Sequence, residues 1–236
     1  MKYAPYSFSK INSFEHCQKQ FEFTYVNKIS PDVEYRDPIF FQRGRFVHAY
    51  LAHRLTGGAG EVYGYNNVEI ADRLKLIEDA ENTLSNEYVA LTLGFEVTNV
   101  EKEIRLDSNL LPTNGDYAVN GYVDYYAVDG EFATVIDWKS GQYRPTQKFK
   151  QLELYALWLF QTYSEIKEVD LLYYFVEEQK YAFKTVTLED VIELRNNLGV
   201  SINIIEATDE FELNPSKSCE YCKFINTCRD KYNIEY

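Results

Sequence analysis

Residues 94 to 139 leave the chain little choice of fold. "GFEVTNVEKEIRL" and "DYAVNGYVDYYAV" alternate apolar and polar residues, and a short turn at "VDG" leads into "EFATVIDW". A repeat of two marks strands with one buried face, so this stretch predicts a meander of three strands. Elsewhere the period is helical. Residues 7 to 26 carry Phe8, Ile11, Phe14, Phe21 and Tyr25 at helical spacing, with Cys17 on or beside the stripe. Residues 40 to 55 predict a second helix, stopped by "TGG", and a third spans about 68 to 93 on Leu74, Ile77, Leu84 and Tyr88. "QKFKQLELYALWLFQTY" is helical, "EVDLLYYFVEE" and "YAFKTVTL" are strands, and Thr187 and Asp190 in "TLED" open a final helix with a capping-box pattern. The expected fold is α/β, a mixed central sheet flanked by helices, in a single domain over residues 1 to 236.

The meander ends in "FATVIDWKSG", where a strand carries a charge of each sign into its last residues. Side chains alternate faces along a strand, so Asp137 and Lys139 project to one side and Trp138 to the other. Asp124, in "NGYVDYY", lies in the neighbouring strand of the same meander, after Gly121, which lets a backbone or ligand approach closely. Two buried carboxylates that close repel unless a cation lies between them. A divalent metal with oxygen ligands, Mg2+ or Mn2+, is the simplest one. A lysine at its edge can orient or deprotonate a water, and metal-assisted attack on a phosphodiester is the reaction such a cluster serves. The alternative is a buried Asp137–Lys139 ion pair beside an exposed Asp124, although such pairs stabilise poorly.

Charge narrows the partners. The net charge of −13 counts against a protein that simply coats nucleic acid. Its distribution is uneven: Pro38 to Gly60 holds no acid but Arg43, Arg45, Arg54, His48 and His53, and Ser140 to Leu152 holds none but Arg144, Lys148 and Lys150. Brought together, these windows would make one positive groove on a negative body; chance clustering is the alternative. Most of the 21 tyrosines and 15 phenylalanines are expected in the core; Glu101 and Glu103 in "NVEKEIRL" could add an acid beside Asp124 but are expected as solvated strand positions. No apolar stretch reaches the ~20 residues of a membrane span, and "MKYAPYSFSKINSFEHC" lacks a secretory h-region, so a soluble, cytoplasmic protein is expected.

The four cysteines are Cys17 and the C-x2-C-x5-C set Cys219, Cys222 and Cys228. In a reducing compartment this spacing reads as thiolate metal ligation, with either zinc or an iron–sulfur cluster tying the chain ends together. A free Cys17 beside a local three-ligand motif is the alternative.

"GYVD", "IDWKSG" and "QLELY" together resemble the PD-(D/E)xK nuclease superfamily, in its RecB-type exonuclease branch. The resemblance implies a restriction-endonuclease-like fold, with Asp124 and Asp137 holding the metal, Lys139 assisting the nucleophilic water, and Gln151 and Tyr155 following on the next helix. "SFSKINSFEHCQKQFEF" is similar to the family's opening S-x-S-x-I-x-x-F-x-x-C helix, with Gln18 where proline is common. "RGRFVHAYL" is similar to its G-x-x-x-H segment, which implies His48 as a metal ligand and leaves His16 and His53 unassigned. The cysteine pattern resembles the iron–sulfur subset of the branch, found in AddB helicase-nuclease subunits and CRISPR-associated spacer-processing nucleases. That implies a [4Fe-4S] cluster, ahead of zinc, on Cys17, Cys219, Cys222 and Cys228, joining the N-terminal helix to the tail at about 215–236.

The resulting expectation is a standalone DNA nuclease whose metal sits on Asp124, Asp137, His48 and the Trp138 carbonyl. Single-stranded or frayed ends are the expected substrate, with aromatic neighbours such as Tyr143 stacking a base. A helicase or recombination protein is the expected partner. The rival readings are a non-catalytic DNA-end-binding scaffold and a zinc-clipped interaction domain.

Overall fold

The computed structural model describes residues 1–33, 39–59, 69–143 and 148–233. The alternating segments form β1 (Val97–Leu106), β2 (Val119–Asp129) and β3 (Phe132–Lys139), joined by β4 (Glu168–Phe175) and β5 (Lys180–Thr187) in one sheet of order β1-β2-β3-β4-β5. The first three strands are an antiparallel meander, as their short connections allow, with Gly130 taking φ +55 in the β2–β3 turn. β3 and β4 run parallel and therefore need a crossover. Helix α6 (Lys150–Thr162), in the connection between them, has every residue from Leu154 to Phe160 buried. It is apolar nearly all round because it lies between the sheet and two further helices, α1 (Phe8–His16) and α7 (Val191–Ala207).

On the other face, α3 (Ile39–Leu55), α4 (Ile70–Leu84) and α5 (Glu87–Thr92) cover a second core built on Val47, Leu51, Leu76, Val89, Ile136 and Trp138. The result is a mixed five-stranded sheet between two helical layers, and the Thr187–Asp190 capping box is formed.

Two predicted helices are broken. The first stops at Cys17, whose backbone is extended, and resumes as α2 (Gln18–Phe21) and a wider turn over Glu22–Val26. The cause is tertiary. Lys19 donates its N–H to the Glu212 carbonyl, the Glu212 N–H donates to Gln18 Oε1, and Asn214 Nδ2 donates to the His16 carbonyl. The third breaks after Leu84, where Asn86 caps α5 through its side chain. Leu74 is exposed, and Leu76 and Ala80 take the core positions. The helix opened at "TLED" is not the last: α8 (Ile225–Tyr232) follows.

The alternation of β1 and β2 slips once. On β2, Val119 and Val123 face the α6 core, yet beyond Asp124 it is Tyr126 and Val128 that do so, while Tyr125 and Ala127 face the α3 core. On β1, Ile104 and Leu106 face the α6 core but Val100 packs on the α3 side. The register does not shift, since Val100 pairs with Tyr125 and Lys102 with Val123. The pleat inverts instead, at Glu101, which takes φ +49 in mid-strand. Such a left-handed residue costs about 1–2 kcal/mol for any side chain but glycine.

Candidate active site

The inversion and the end of the β2–β3 ladder coincide. Ladder pairing stops at Tyr125 and Ile136, and the next residues on the two strands are Asp124 and Asp137. Asp124 Oδ2 accepts the Trp138 N–H at 2.9 Å in place of a strand carbonyl. The same oxygen lies 3.3 Å from His48 Nδ1, on α3. Asp137, 3% exposed, has Lys139 Nζ 2.5 Å from its Oδ2, and that oxygen receives no well-formed hydrogen bond. The Lys139 ammonium also lies over the Tyr173 ring, 4.8 Å from its centroid. Trp138 turns to the opposite face, 1% exposed against Tyr125 and Tyr174.

The charges interact as their spacing requires. Burial pushes the Asp137 carboxyl up, and the nearby Asp124 charge adds to it, to about 6. Burial alone would lower His48, but the Asp124 carboxylate, with Asp137 and Glu101 behind it, raises the imidazole to about 9. Glu101 is raised by partial desolvation and by Asp124.

Glu101, expected as a solvated strand position, is exposed in β1. Its carboxylate, His48 and Asp124 each bring a ligand atom within 4.8 Å of the others, a group that could hold a metal ion. The pleat inversion at Glu101 is not visible in a sequence pattern, because a left-handed glutamate has no compositional mark. Glu103, by contrast, pairs with Arg105 at 2.7 Å. Asp137 lies outside that three-residue spacing, and its buried Oδ2 faces the Lys139 ammonium. Carboxylates and an imidazole are a donor set suited to a hard divalent cation.

Gln151 and Tyr155 follow on α6, one turn apart. Gln151 Nε2 donates to Tyr155 Oη at 3.0 Å, and Tyr155 Oη donates to the Tyr122 carbonyl at 2.8 Å. Tyr155 is 3% exposed. Its hydroxyl is thus committed to holding β2, while Gln151 stands at the open end. Gly121 makes room for the ring: a Cβ there would lie 2.7 Å from Tyr155 Cε1. Gly121→Ala is therefore expected to cost about 1–3 kcal/mol of overpacking, read as a lower thermal midpoint; an unchanged midpoint would mean the ring gives way freely.

The two acid-free windows do meet. Gly44, Arg45 and His48 of α3 share a cavity of about 620 Å3 with Lys139, Ser140 and Gly141. The expected positive groove is weaker than predicted, however. Arg43 pairs with Glu177 and Asp72, Arg54 with Glu81, and Lys150 with Glu15, while Arg144 lies outside the described residues. Ion pairing with acids distant in sequence consumes charge that a window of sequence leaves free.

Cys17, Cys219, Cys222 and Cys228 line one cavity of about 260 Å3 between the α1–α2 break and the C-terminal arm. They are not gathered into a ligand set: among the described residues no three of their sulfurs lie within 4.8 Å of one another. Burial raises the Cys222 thiol, and it pushes Cys228 up to about 11.

Comparison with known proteins agrees with this geometry. No curated protein matches the chain. Eighteen solved chains match, among them the crystal structure of SSO0001, at 18% identity and a TM-score of 0.37 over 80% of this chain and 85% of that one; at that score the likeness carries no weight. The family model described as the PD-(D/E)XK nuclease superfamily matches residues 5–229. With that match over nearly its whole length, and two acids and a lysine converging at the end of a β-hairpin, the chain belongs to the PD-(D/E)XK nuclease superfamily.

Proposed function

We propose that the chain is a divalent-metal-dependent deoxyribonuclease that hydrolyses phosphodiester bonds, acting on single-stranded or frayed ends. The observation that carries this reading is the pairing of Asp124 and Asp137 at the end of one hairpin, with His48 on the first acid and Lys139 on the second. Asp124, Asp137, His48 and the Trp138 carbonyl would hold Mg2+ or Mn2+, with Glu101 close enough to add a ligand. The bound cation would lower the pKa of a water and polarise the phosphoryl oxygens. Lys139 orients that water and offsets negative charge as it grows on the phosphoryl group. The Trp138 N–H fixes the Asp124 carboxylate, and the Gln151–Tyr155–Tyr122 chain fixes the strand that carries it.

The same reading includes a [4Fe-4S] cluster at the four cysteines. Tetrahedral zinc at ~2.3 Å from each sulfur needs sulfurs about 3.8 Å apart, closer than any three of these are gathered. The wider spacing around a cavity of about 260 Å3 favours the larger group, in a structural role.

End-labelled single strands, duplexes and a closed circle incubated with Mg2+ or Mn2+ test the activity. Loss of linear single strands with the circle spared is expected. Tight binding without cleavage in either metal would favour the scaffold reading instead. Metal uptake has its own signature. A metal ligand histidine must be neutral, whereas Asp124 holds His48 protonated up to about 9. Mn2+ binding at neutral pH should therefore release a proton and tighten as pH rises toward 9. Calorimetry in two buffers of different ionisation enthalpy measures this, and the absence of proton release would remove His48 from the metal site.

A further inference from the structure

We infer that the groove between α1 and β2 is the track for one strand of DNA, with Tyr122 and Phe41 as stacking platforms for its bases. The inference rests on the nuclease reading and adds where the strand lies and which rings its bases rest on. The groove, about 1100 Å3, opens onto Lys139, Gln151 and Tyr155, and among the described residues no acid lines it, although the chain carries 37 acidic residues. From α1 it receives Ser9, Asn12, Ser13 and His16, spaced by three or four so that they share one side of the helix. Hydroxyl and amide groups of this kind donate to phosphate oxygens without reading sequence. Among the described residues the groove has two lysines, Lys139 and Lys223, too little positive charge to hold a duplex by its phosphates alone. A single strand can add stacking on exposed rings.

Those rings are in place. Tyr122 is 55% exposed in the groove wall, two residues before Asp124. Its backbone is held by Tyr155. Glu103 lies directly opposite it in the ladder and is itself fixed by Arg105; after Arg105, the Tyr122 hydroxyl is among the groups that hold the Glu103 carboxyl low. Phe41, 47% exposed, lines both this groove and the cavity beside His48, so it stands where the two meet at Lys139. Tyr143, the aromatic expected from sequence, is instead packed edge-on against Phe175 at 5.4 Å, with its N–H on Glu178.

The test is fluorescence anisotropy of the whole protein in EDTA, with a labelled single-stranded oligonucleotide and the same strand bearing abasic residues. With two platforms, the wild type should bind the abasic strand about a hundredfold more weakly. Tyr122→Ala should lose about tenfold on the base-bearing strand and little on the abasic one, while Tyr122→Phe keeps the preference and reports an intact fold. Equal binding of the two strands by the wild type, or none, overturns the inference, as does a base preference undiminished in Tyr122→Ala. Cleavage of the same strand in Mn2+ is scored separately. Cutting without base preference sinks the stacking alone, and base-dependent binding without cutting sinks the nuclease reading alone.

Discussion

Asp137→Asn is expected to lower Mn2+-supported cleavage by about 10^3-fold or more while leaving the metal-free protein at least as stable at neutral pH. The two effects have one origin. Asp137 is buried beside Asp124, and its carboxyl is raised by burial and by that charge from 3.8 to about 6. The folded chain therefore binds this proton more tightly than the unfolded chain does, so ionising it on the way to neutral pH costs stability. The cost is absent below the unfolded value near 4 and complete above about 6. Asparagine keeps the shape and drops the charge, so any gain should appear at neutral pH and vanish in acid. It also leaves Lys139 with a weaker acceptor, which trims the gain but does not reverse it, because burial and Asp124 outweigh the lysine at this carboxyl. Calorimetric unfolding at both pH values, alongside cleavage of a labelled strand, measures the two effects. Full activity in the variant would remove Asp137 from the site. Loss of both fold and activity would recast it as a structural ion pair.

The sequence carried the hairpin and the facing of its acids because a period of two survives any packing. Asp137 and Lys139 on one face and Trp138 on the other needed nothing beyond the alternation of "IDWK". The site itself depends on a departure from that alternation. At Glu101 the pleat inverts without a change of register, which brings the β1 acid beside Asp124 and His48. Strict alternation would place Glu101 and Glu103 together, and the structure separates them. The helix break at Cys17 is another tertiary effect, set by the C-terminal segment at Glu212 and Asn214 and not by a local breaker. Charge was the least legible property. Arg43, Arg54 and Lys150 look available within their windows but are paired by Glu177, Glu81 and Glu15 from elsewhere in the chain. Among the described residues, what remains for substrate is a weakly charged, hydroxyl-lined groove with exposed rings, a different basis for holding a strand from the positive one expected.

Cys219→Ser is expected to release the C-terminal arm. From Asn214 onward the arm buries Phe224, Ile225 and Cys228, with Phe23 as its main apolar partner on the body. Full burial of such a side chain contributes about 1.5–3 kcal/mol, whereas each residue ordered costs about 1–2 kcal/mol in backbone entropy. Asp32 adds hydrogen bonds from Asn226 and Thr227, each worth about 1 kcal/mol net. Asn214 and Lys223 add hydrogen bonds with His16 and Asp32, and under the proposed reading a metal clip adds a further link. A metal group on Cys17, Cys219, Cys222 and Cys228 would supply it, since binding energy at a site absent from the unfolded chain is folding energy. Serine preserves the shape and is a far poorer ligand. The wild type, purified anaerobically, should be brown, contain iron and sulfide, and resist trypsin at Lys217, Lys223, Arg229 and Lys231. Cys219→Ser should be colourless and cut there, with the sheet domain still folded. A colourless wild type with one zinc per chain would replace the iron–sulfur group with a closed tetrahedral site. A metal-free wild type whose arm resists trypsin would show that the arm needs no clip.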